Sequence, residues 1–205
     1  MPIIKLEETK NYNIALWSIN ESLEDLIKIL EPTNKELKTI KYYKNTQRKK
    51  QNIASRILLN KLSKKKEELL YMPHGGPYCN TFQHISISHS KNYCGVITSN
   101  QPVGLDIQFK KENIHEISNR FLNLMEKNIA KNKNDNIHFI WCTKEAIYKT
   151  LNGSTCSFKE NIIIKSINKD NIKATFVKKD ILIKYNVNCQ KIDNYFITIA
   201  IIKND

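Results

Sequence analysis

The chain has 205 residues, 40% of them hydrophobic, and 33 Lys and Arg outnumber 20 Asp and Glu to give a formal charge of +13. This length accommodates one large domain or two small ones, and the hydrophobic content excludes wholesale disorder. The charge predicts an anionic partner, such as nucleic acid, an anionic membrane, a phosphorylated cofactor or an acidic protein. The five cysteines are scattered without a C-x-x-C pair, which argues against a disulfide framework or a zinc site and for a reducing cytosol.

The ends of the sequence carry no pattern typical of membrane targeting. Charged residues at Lys5, Glu7, Glu8 and Lys10 precede the first apolar stretch, so we expect no signal peptide. The longest apolar run, Tyr195–Ile202, is far too short to cross a bilayer. We therefore expect a cytoplasmic protein without a membrane partner.

Hydrophobic periodicity predicts the order strand, helices, strands in the first part of the chain. A very basic helical stretch runs from Asn34 to about Leu70 and carries Arg48 and Arg56. Proline ends the helix before this stretch and forms a turn after it, over Pro73–Pro77. The first strand is predicted over 12–19 and the first helix over 20–30; two more strands are predicted over 85–88, ending at His89-Ser90, and over 93–98.

The same order recurs after a turn at Asn100–Pro102. A strand is predicted over 103–107, helices over about 114–127 and 136–151, and four strands over 161–165, 173–177, 181–187 and 195–202. No residue-level repeat accompanies this recurrence. It nevertheless suggests an α+β fold of two stacked halves, residues 1–101 and 102–205, with a cleft between them.

The most informative stretch is the predicted helix that contains Trp141–Lys149. Lys144 falls in the middle of its apolar stripe, Glu145 lies at the edge of the stripe, and Lys149 follows one turn later. Charged groups that face a core need partners, so we expect a cation for Glu145 and anions for both lysines. The alternative is an ordinary amphipathic helix with a surface Glu145–Lys149 ion pair contributing about 0.3–0.5 kcal/mol. The stripe itself consists of Ile140, Ile147 and Leu151.

A second carboxylate lies in the predicted strand Val103–Ile107, where Asp106 follows Gly104 by two residues. A glycine within a strand permits the close approach of a ligand or of another backbone. Asp106 and Glu145 together could hold one hard cation, because Mg²⁺ takes one or two protein carboxylates and completes its shell with water and phosphate oxygens. Taken alone, Asp106 also fits a turn-capping role.

Two further features are candidates for binding phosphate. His89 ends a predicted strand and could donate a hydrogen bond to phosphate, with the Ser88 hydroxyl beside it. Arg48 and Arg56 lie where a second phosphate clamp could form, since guanidinium groups match phosphate geometry. The alternatives are a structural histidine at a strand end and a solvated basic helix face.

Three motifs in this order resemble the 4′-phosphopantetheinyl transferases of the larger, surfactin-synthetase-activating type. They are Ser88-His89-Ser90, then Val103-Gly104-Leu105-Asp106, then Trp141-x-x-Lys144-Glu145-Ala146-x-x-Lys149. Two more stretches correspond to positions of that family: Gly75-Gly76-Pro77-Tyr78, and Arg120-Phe121 followed by Glu126. The resemblance extends from about Lys41 to Gly153.

The resemblance implies a pseudo-dimer of two similar α/β halves with coenzyme A and the active site in the cleft between them. It implies an Mg²⁺-dependent transfer of 4′-phosphopantetheine to a serine of an acidic acyl or peptidyl carrier protein, by a monomer. Asp106, Glu145 and Lys149 match catalytic positions. Metal ligands would be Asp106, Glu145 and, at a third ligand position, Gln108. The coenzyme would be bound by Arg48, Arg56, Ser88, His89, Lys144 and Lys149.

The sequence departs from the family at two positions. Gln108 stands where many members carry a third acidic ligand, and Gly76 replaces a lysine used near the coenzyme. A catalytically weakened relative that only binds carrier protein is therefore one alternative. A basic nucleic-acid-binding module is another, but aromatic residues do not interleave with the basic stretch as a stacking surface requires.

Overall fold

Two antiparallel sheets organise the chain, of which the computed structural model describes residues 3–131 and 133–203. The first sheet has the strand order β1-β2-β6-β5 and the second has the order β7-β11-β10-β9-β8, while β3 and β4 form a separate pair. The strands are β1 Ile3–Glu8, β2 Asn13–Ser18, β3 Leu70–Tyr71, β4 Pro77–Tyr78, β5 His84–Ser90, β6 Tyr93–Ser99, β7 Val103–Phe109, β8 Ile162–Asn168, β9 Asn171–Lys178, β10 Ile181–Ile192 and β11 Tyr195–Ile202. The helices are α1 Leu23–Leu30, α2 Asn34–Tyr42, α3 Thr46–Ser63, α4 Ile114–Ser118, α5 Leu124–Ala130 and α6 Asn134–Lys149.

This mixture of sheets and helices confirms the predicted α+β class. The predicted order of elements is also present, with differences at helix ends. The single basic helix expected from Asn34 to Leu70 is two helices, because α2 ends at an extended Tyr43 and the Asn45 side chain caps a new helix. The helix expected over 114–127 is likewise divided, because Asn123 and Glu126 form a capping box at the start of α5.

Strand β1 was not predicted by the sequence analysis. It is an edge strand that pairs only with β2 in its sheet, and its residues alternate between half-buried and exposed. Lys5, Glu7 and Glu8 break up its apolar character, so the segment lacks the strong alternation that marks buried strands. Charged residues of this kind are typical of sheet edges that face solvent.

The two large sheets meet at their edge strands β5 and β7 through serine side chains. The hydroxyl oxygens of Ser86, Ser88 and Ser90 accept hydrogen bonds from the backbone N–H groups of Leu105, Ile107 and Phe109 at 3.0, 3.0 and 2.9 Å. We call these three contacts the serine seam. Each serine is 19 residues before its partner, so the two strands run in the same direction.

Helix α6 lies directly on strand β7 because Gly104 has no side chain. A Cβ atom added at Gly104 would lie 1.8 Å from the carbonyl oxygen of Ala146. The glycine of the strand motif therefore permits the approach of another backbone, which is one of the two roles expected for it. Asp106 on β7 and the charged residues around Ala146 on α6 are brought together by this contact. Within residues 3–131 and 133–203, no helix is long and apolar enough to span a bilayer.

Replacing Gly104 by alanine should destabilise the fold by about 3 kcal/mol, because backbone atoms of α6 would have to move away from β7. Gly95→Ala is the matched control. A Cβ at Gly95 would meet only the ends of flexible side chains, the nearest being Leu16 Cδ2 at 2.6 Å. Urea denaturation should show the larger loss for Gly104→Ala, and equal losses would contradict this account of the helix–strand contact.

Candidate active site

Asp106 is the point at which three elements of the site converge. Its side chain, on β7, is almost fully buried at 7% exposure. Oδ1 accepts hydrogen bonds from Ser88 Oγ of β5 at 3.0 Å and from Lys149 Nζ of α6 at 2.8 Å. Oδ2 accepts one from the Cys142 thiol at 3.2 Å. These donors engage both carboxylate oxygens, which excludes a simple turn-capping role.

Lys149 crosses from the helix to the strand. Besides its ion pair with Asp106, its ammonium group donates to the carbonyl oxygen of Leu105 at 2.7 Å. Asp106 is therefore the anionic partner that we expected Lys149 to have. That anion is on β7 and is not Glu145, so the alternative of a surface Glu145–Lys149 ion pair is wrong.

Glu145 differs from Asp106 and Lys149 in its contacts. Among residues 3–131 and 133–203, its half-buried carboxylate makes no hydrogen bond and no ion pair. Burial raises the pKa of Glu145, and the Asp106 charge raises it further, while Lys149 and Lys111 act in the opposite direction. A carboxylate in this position favours an incoming cation or a proton.

The two carboxylates could hold a hard divalent cation. Both present oxygen ligands. Within residues 3–131 and 133–203 Glu145 makes no hydrogen bond or ion pair, whereas both Asp106 oxygens accept hydrogen bonds. Gln108 lies on the same face of β7 as Asp106, two residues along the strand, and its amide nitrogen donates to the Phe109 carbonyl at 3.3 Å. In the part of the chain that the structure describes, no cluster of three or more His, Cys, Asp or Glu residues forms a preassembled metal site. Mg²⁺ is the candidate ion, because it takes one or two protein carboxylates and completes its shell with water and phosphate oxygens.

A pocket of about 570 Å³, here called the main pocket, opens beside these groups. One wall is the C-terminal part of α6, and the other consists of β5 with the turn between β3 and β4. It is lined by Met72, His74, Gly75, Gly76, Pro77, Tyr78, Gln83, His84, Ile85, Ser86, Ile87, Glu145, Tyr148, Lys149, Asn152 and Gly153. Segments from both sides of the serine seam therefore contribute to one pocket.

A small pocket of about 50 Å³ lies beside the main pocket, and Ile87 of β5 lines both. Arg48 and His89 meet there, with the guanidinium Nη1 3.0 Å from the histidine ring nitrogens. Burial, followed by the Arg48 charge, lowers the pKa of His89 to about 4, so the ring is neutral near neutral pH. The structure thus brings together two of the predicted phosphate-binding residues.

Ser88 corrects one prediction. Ser88 is buried, with 6% of its surface exposed. Its hydroxyl group accepts a hydrogen bond from the Ile107 N–H and donates one to Asp106. The side chain therefore orients the Asp106 carboxylate and forms part of the serine seam. It does not point a free hydroxyl at a ligand as expected.

Arg56 corrects a second prediction. Its side chain is 4% exposed and forms a salt bridge with Glu36 at 3.3 Å, and it also donates to Asn52 and to the Leu69 carbonyl. The guanidinium group is thus used to hold α2 and the segment before β3 against α3. It is not available to bind phosphate or nucleic acid, which removes half of the arginine pair that supported a nucleic-acid-binding module.

Lys144 corrects a third prediction. Its ammonium group is fully buried and forms a salt bridge of 2.8 Å with Glu126, whose side chain is also fully buried. The anion expected for Lys144 is therefore present within the protein. Because the ammonium group has no exposure, the predicted contact with a bound phosphate is wrong for this structure.

An aromatic pocket of about 490 Å³ on the far side of Glu145 was not predicted. Phe121, Trp141 and Phe158 form its walls, and the Trp141 ring packs edge-on against Phe121 with centroids 4.9 Å apart. Phe121 and Trp141 lie in motifs noted above, but Phe158 follows a region without a recognisable pattern. The complete lining is Ile117, Arg120, Phe121, Trp141, Glu145, Ser157 and Phe158.

Asp106, Glu145 and Lys149 thus lie close together where α6 meets β7. Residues 102–200, just under half of the chain, match the family model described as the 4′-phosphopantetheinyl transferase superfamily. This match supports that superfamily and an enzyme of the phosphopantetheinyl transferase type, and it includes Asp106, Glu145 and Lys149. A comparison with curated proteins found no match.

Glu145→Gln should raise the thermal stability of the protein. A raised pKa means that the folded state binds the Glu145 proton more tightly than the unfolded state, so the wild type loses stability as the pH rises through the folded pKa. We expect the variant to melt about 2 °C above the wild type near pH 7 and at the same temperature below about pH 4.

Calorimetry from about pH 4 to about pH 7 checks this dependence, with Glu112→Gln as the control. Glu112 is an exposed carboxylate in the same part of the chain. Its replacement should leave the melting temperature unchanged throughout. A difference for Glu145→Gln that does not vary with pH would show that the effect has another origin.

Proposed function

We propose that this protein transfers the 4′-phosphopantetheine group of coenzyme A to a serine of an acyl or peptidyl carrier protein. The superfamily match supports the class of reaction. The observation that carries the proposal is that Glu145 and Lys149 line the main pocket while Lys149 forms an ion pair with Asp106. These residues come from two sequence motifs, and Arg48 of α3 lies 3.0 Å from the ring of His89 on β5.

We further propose that the protein is of the larger type, a pseudo-dimer with the halves 1–101 and 102–205. Each half contains one large sheet covered by a long helix, α3 in the first and α6 in the second. The serine seam joins the sheets, and the main pocket is lined from both sides. A pocket lined by both halves of one chain supports a monomer, and we propose that this monomer is cytoplasmic.

Coenzyme A occupies the main pocket in this proposal. Its 3′-phosphate binds at Arg48 and His89, where an exposed guanidinium group lies beside a half-buried imidazole ring. Its pyrophosphate lies toward Lys149, whose side chain retains 27% exposure. The Lys149 ammonium group, which now donates to Asp106 and to the Leu105 carbonyl, turns toward the anionic ligand when that ligand binds.

The residues that would hold Mg²⁺ are Asp106, Glu145 and the Gln108 side-chain carbonyl. The bound ion would supply positive charge to the pyrophosphate oxygens. Gln108 provides one negative charge less than a third carboxylate would, so the affinity for the metal is lower. Ser88 and Cys142 orient Asp106 by hydrogen bonds to its two oxygens.

In the reaction, the carrier serine oxygen forms a bond to the β-phosphorus of coenzyme A. The bond from that phosphorus to the bridging oxygen breaks, and adenosine 3′,5′-bisphosphate leaves with that oxygen. Glu145 accepts the serine proton, directly or through water, and its raised pKa makes it a stronger base than an exposed glutamate. Lys149 stabilises the charge that develops on the phosphate oxygens.

The carrier protein is proposed to be acidic. The formal charge of +13 favours a partner with negative charge, since attraction between opposite charges accelerates encounter at low salt. Arg120, at the rim of the aromatic pocket, supplies a cation close to Glu145. Fatty-acid, polyketide and peptide synthesis all use carriers of this kind, and the site does not distinguish among them.

Intact-mass spectrometry of an apo acyl carrier protein tests the proposal. With coenzyme A and Mg²⁺, the wild type should add one phosphopantetheine, and EDTA should prevent the addition. Glu145→Gln should lower the rate by about 10²–10⁴-fold, because the base and a metal ligand are both lost, whereas Glu112→Gln should be as active as the wild type. Absence of transfer to several apo carriers, together with absence of coenzyme A binding, would refute the proposal.

His89→Ala should weaken the binding of coenzyme A by about tenfold, because a donor to the 3′-phosphate is removed. Dephospho-coenzyme A lacks that phosphate, so its affinity should change by less than about twofold. Isothermal titration calorimetry measures both, and His115→Ala, at an exposed histidine of α4, is the control. Equal losses for the two ligands would place the 3′-phosphate elsewhere.

A further inference from the structure

We propose that Lys144 and Glu126 are a positioning pair that holds the aromatic pocket in shape to receive the carrier segment with the acceptor serine. The inference deepens the proposed function and rests on it. The pair touches neither proposed substrate. It acts through the backbone segments that it holds against α6.

The Lys144 ammonium group is the common anchor of these segments. It donates to the carbonyl oxygens of Phe121, Phe158 and Ile162 at 2.9, 2.7 and 2.7 Å, and to Glu126 Oε2 at 2.8 Å. Four acceptors are more than an ammonium group with three N–H bonds can serve at full strength, so the site is saturated. Burial lowers the pKa of Lys144, while the Glu126 charge opposes this change and keeps the cation stable inside the protein.

Glu126 forms hydrogen bonds with two more backbone segments, β8 and the start of α5. Its Oε1 accepts a hydrogen bond from the Ile164 N–H at 2.8 Å, at the start of β8. Its Oε2 accepts one from the Asn123 N–H at 3.0 Å, as part of the capping box of α5. Removal of either charge would leave the other buried without its counter-ion, which is costly.

The anchored segments are those that build the aromatic pocket. Apart from two residues of α6, Trp141 and Glu145, its lining comes from the segments 117–121 and 157–158. Lys144 binds a carbonyl in each of them, at Phe121 and Phe158. The pocket therefore keeps its shape only while the Lys144 ammonium group holds both segments to the helix that carries Glu145.

The position of Glu145 indicates what this pocket receives. The carboxylate borders both large pockets. If coenzyme A fills the main pocket, the serine that gives its proton to Glu145 approaches from the other side. Ring faces of Phe121, Trp141 and Phe158 with Arg120 at the rim suit an apolar side chain flanked by an acidic residue, which is the surface expected of an acidic carrier helix.

The experiment compares the KM values for carrier and coenzyme in purified variants. Lys144→Met should raise the KM for the apo carrier protein by about tenfold and change that for coenzyme A by less than about twofold. Glu126→Gln should act in the same direction, and it provides a milder variant if Lys144→Met does not fold. The matched control is Glu36→Gln, which removes the acid of the buried Glu36–Arg56 pair outside both pockets.

The double variant Lys144→Met/Glu126→Gln separates positioning from stability. It contains no unpaired buried charge, so its melting temperature should recover toward that of the wild type. Its KM for the carrier should remain raised, because the carbonyls of Phe121 and Phe158 still lack their anchor. Recovery of both quantities together, or equal changes in the two KM values, would overturn the inference.

Hydrogen exchange distinguishes a failure of this inference from a failure of the proposed function. In Lys144→Met, the amides of 117–121 and 157–162 should exchange at least about tenfold faster than in the wild type, with no such change in Glu36→Gln. If the wild type transfers nothing, the proposed function fails, and the exchange rates still decide whether Lys144 anchors the pocket. Unchanged exchange in these segments would refute the anchoring.

Discussion

The contact between α6 and β7 at Gly104 is the constraint on which the site depends. Because no side chain separates the two backbones, residues of α6 come within hydrogen-bonding distance of the strand. Lys149 can then reach both Asp106 and the Leu105 carbonyl, and the Cys142 thiol reaches the other Asp106 oxygen. A larger residue at position 104 would widen this gap and separate charges that now interact over less than 3 Å.

Three charged residues of α6 have different surroundings, and these surroundings determine which of them is available at the site. Lys144 points into the core and is neutralised by Glu126. Lys149 crosses to β7 and is neutralised by Asp106. Glu145 borders two pockets and makes no ion pair within residues 3–131 and 133–203, and its burial raises the pKa of its carboxyl group. The partial burial of the Glu145 charge costs free energy, and this residue lies at the proposed active site.

The serine seam joins the edges of the two large sheets. Strands β5 and β7 are linked through hydroxyl groups, so the edges of both sheets are covered while their backbones remain apart. Ser88 takes part in two contacts, because its hydroxyl group accepts a hydrogen bond from the Ile107 N–H and donates one to Asp106. The relative placement of the sheets is thereby connected to the orientation of a proposed metal ligand.

The sequence by itself determined the α+β class, the order of most elements and the need of Lys144 and Lys149 for anions, because hydrophobic periodicity and buried charge act locally. It also marked Asp106, Glu145 and the Arg48–His89 pair. Which anion each lysine meets was decided only by tertiary structure, since Glu126 and Asp106 are distant in the chain. The same holds for Arg56 and Ser88, whose polar groups are consumed by Glu36 and by the seam, because a polar residue's availability to a ligand depends on contacts that sequence spacing does not encode.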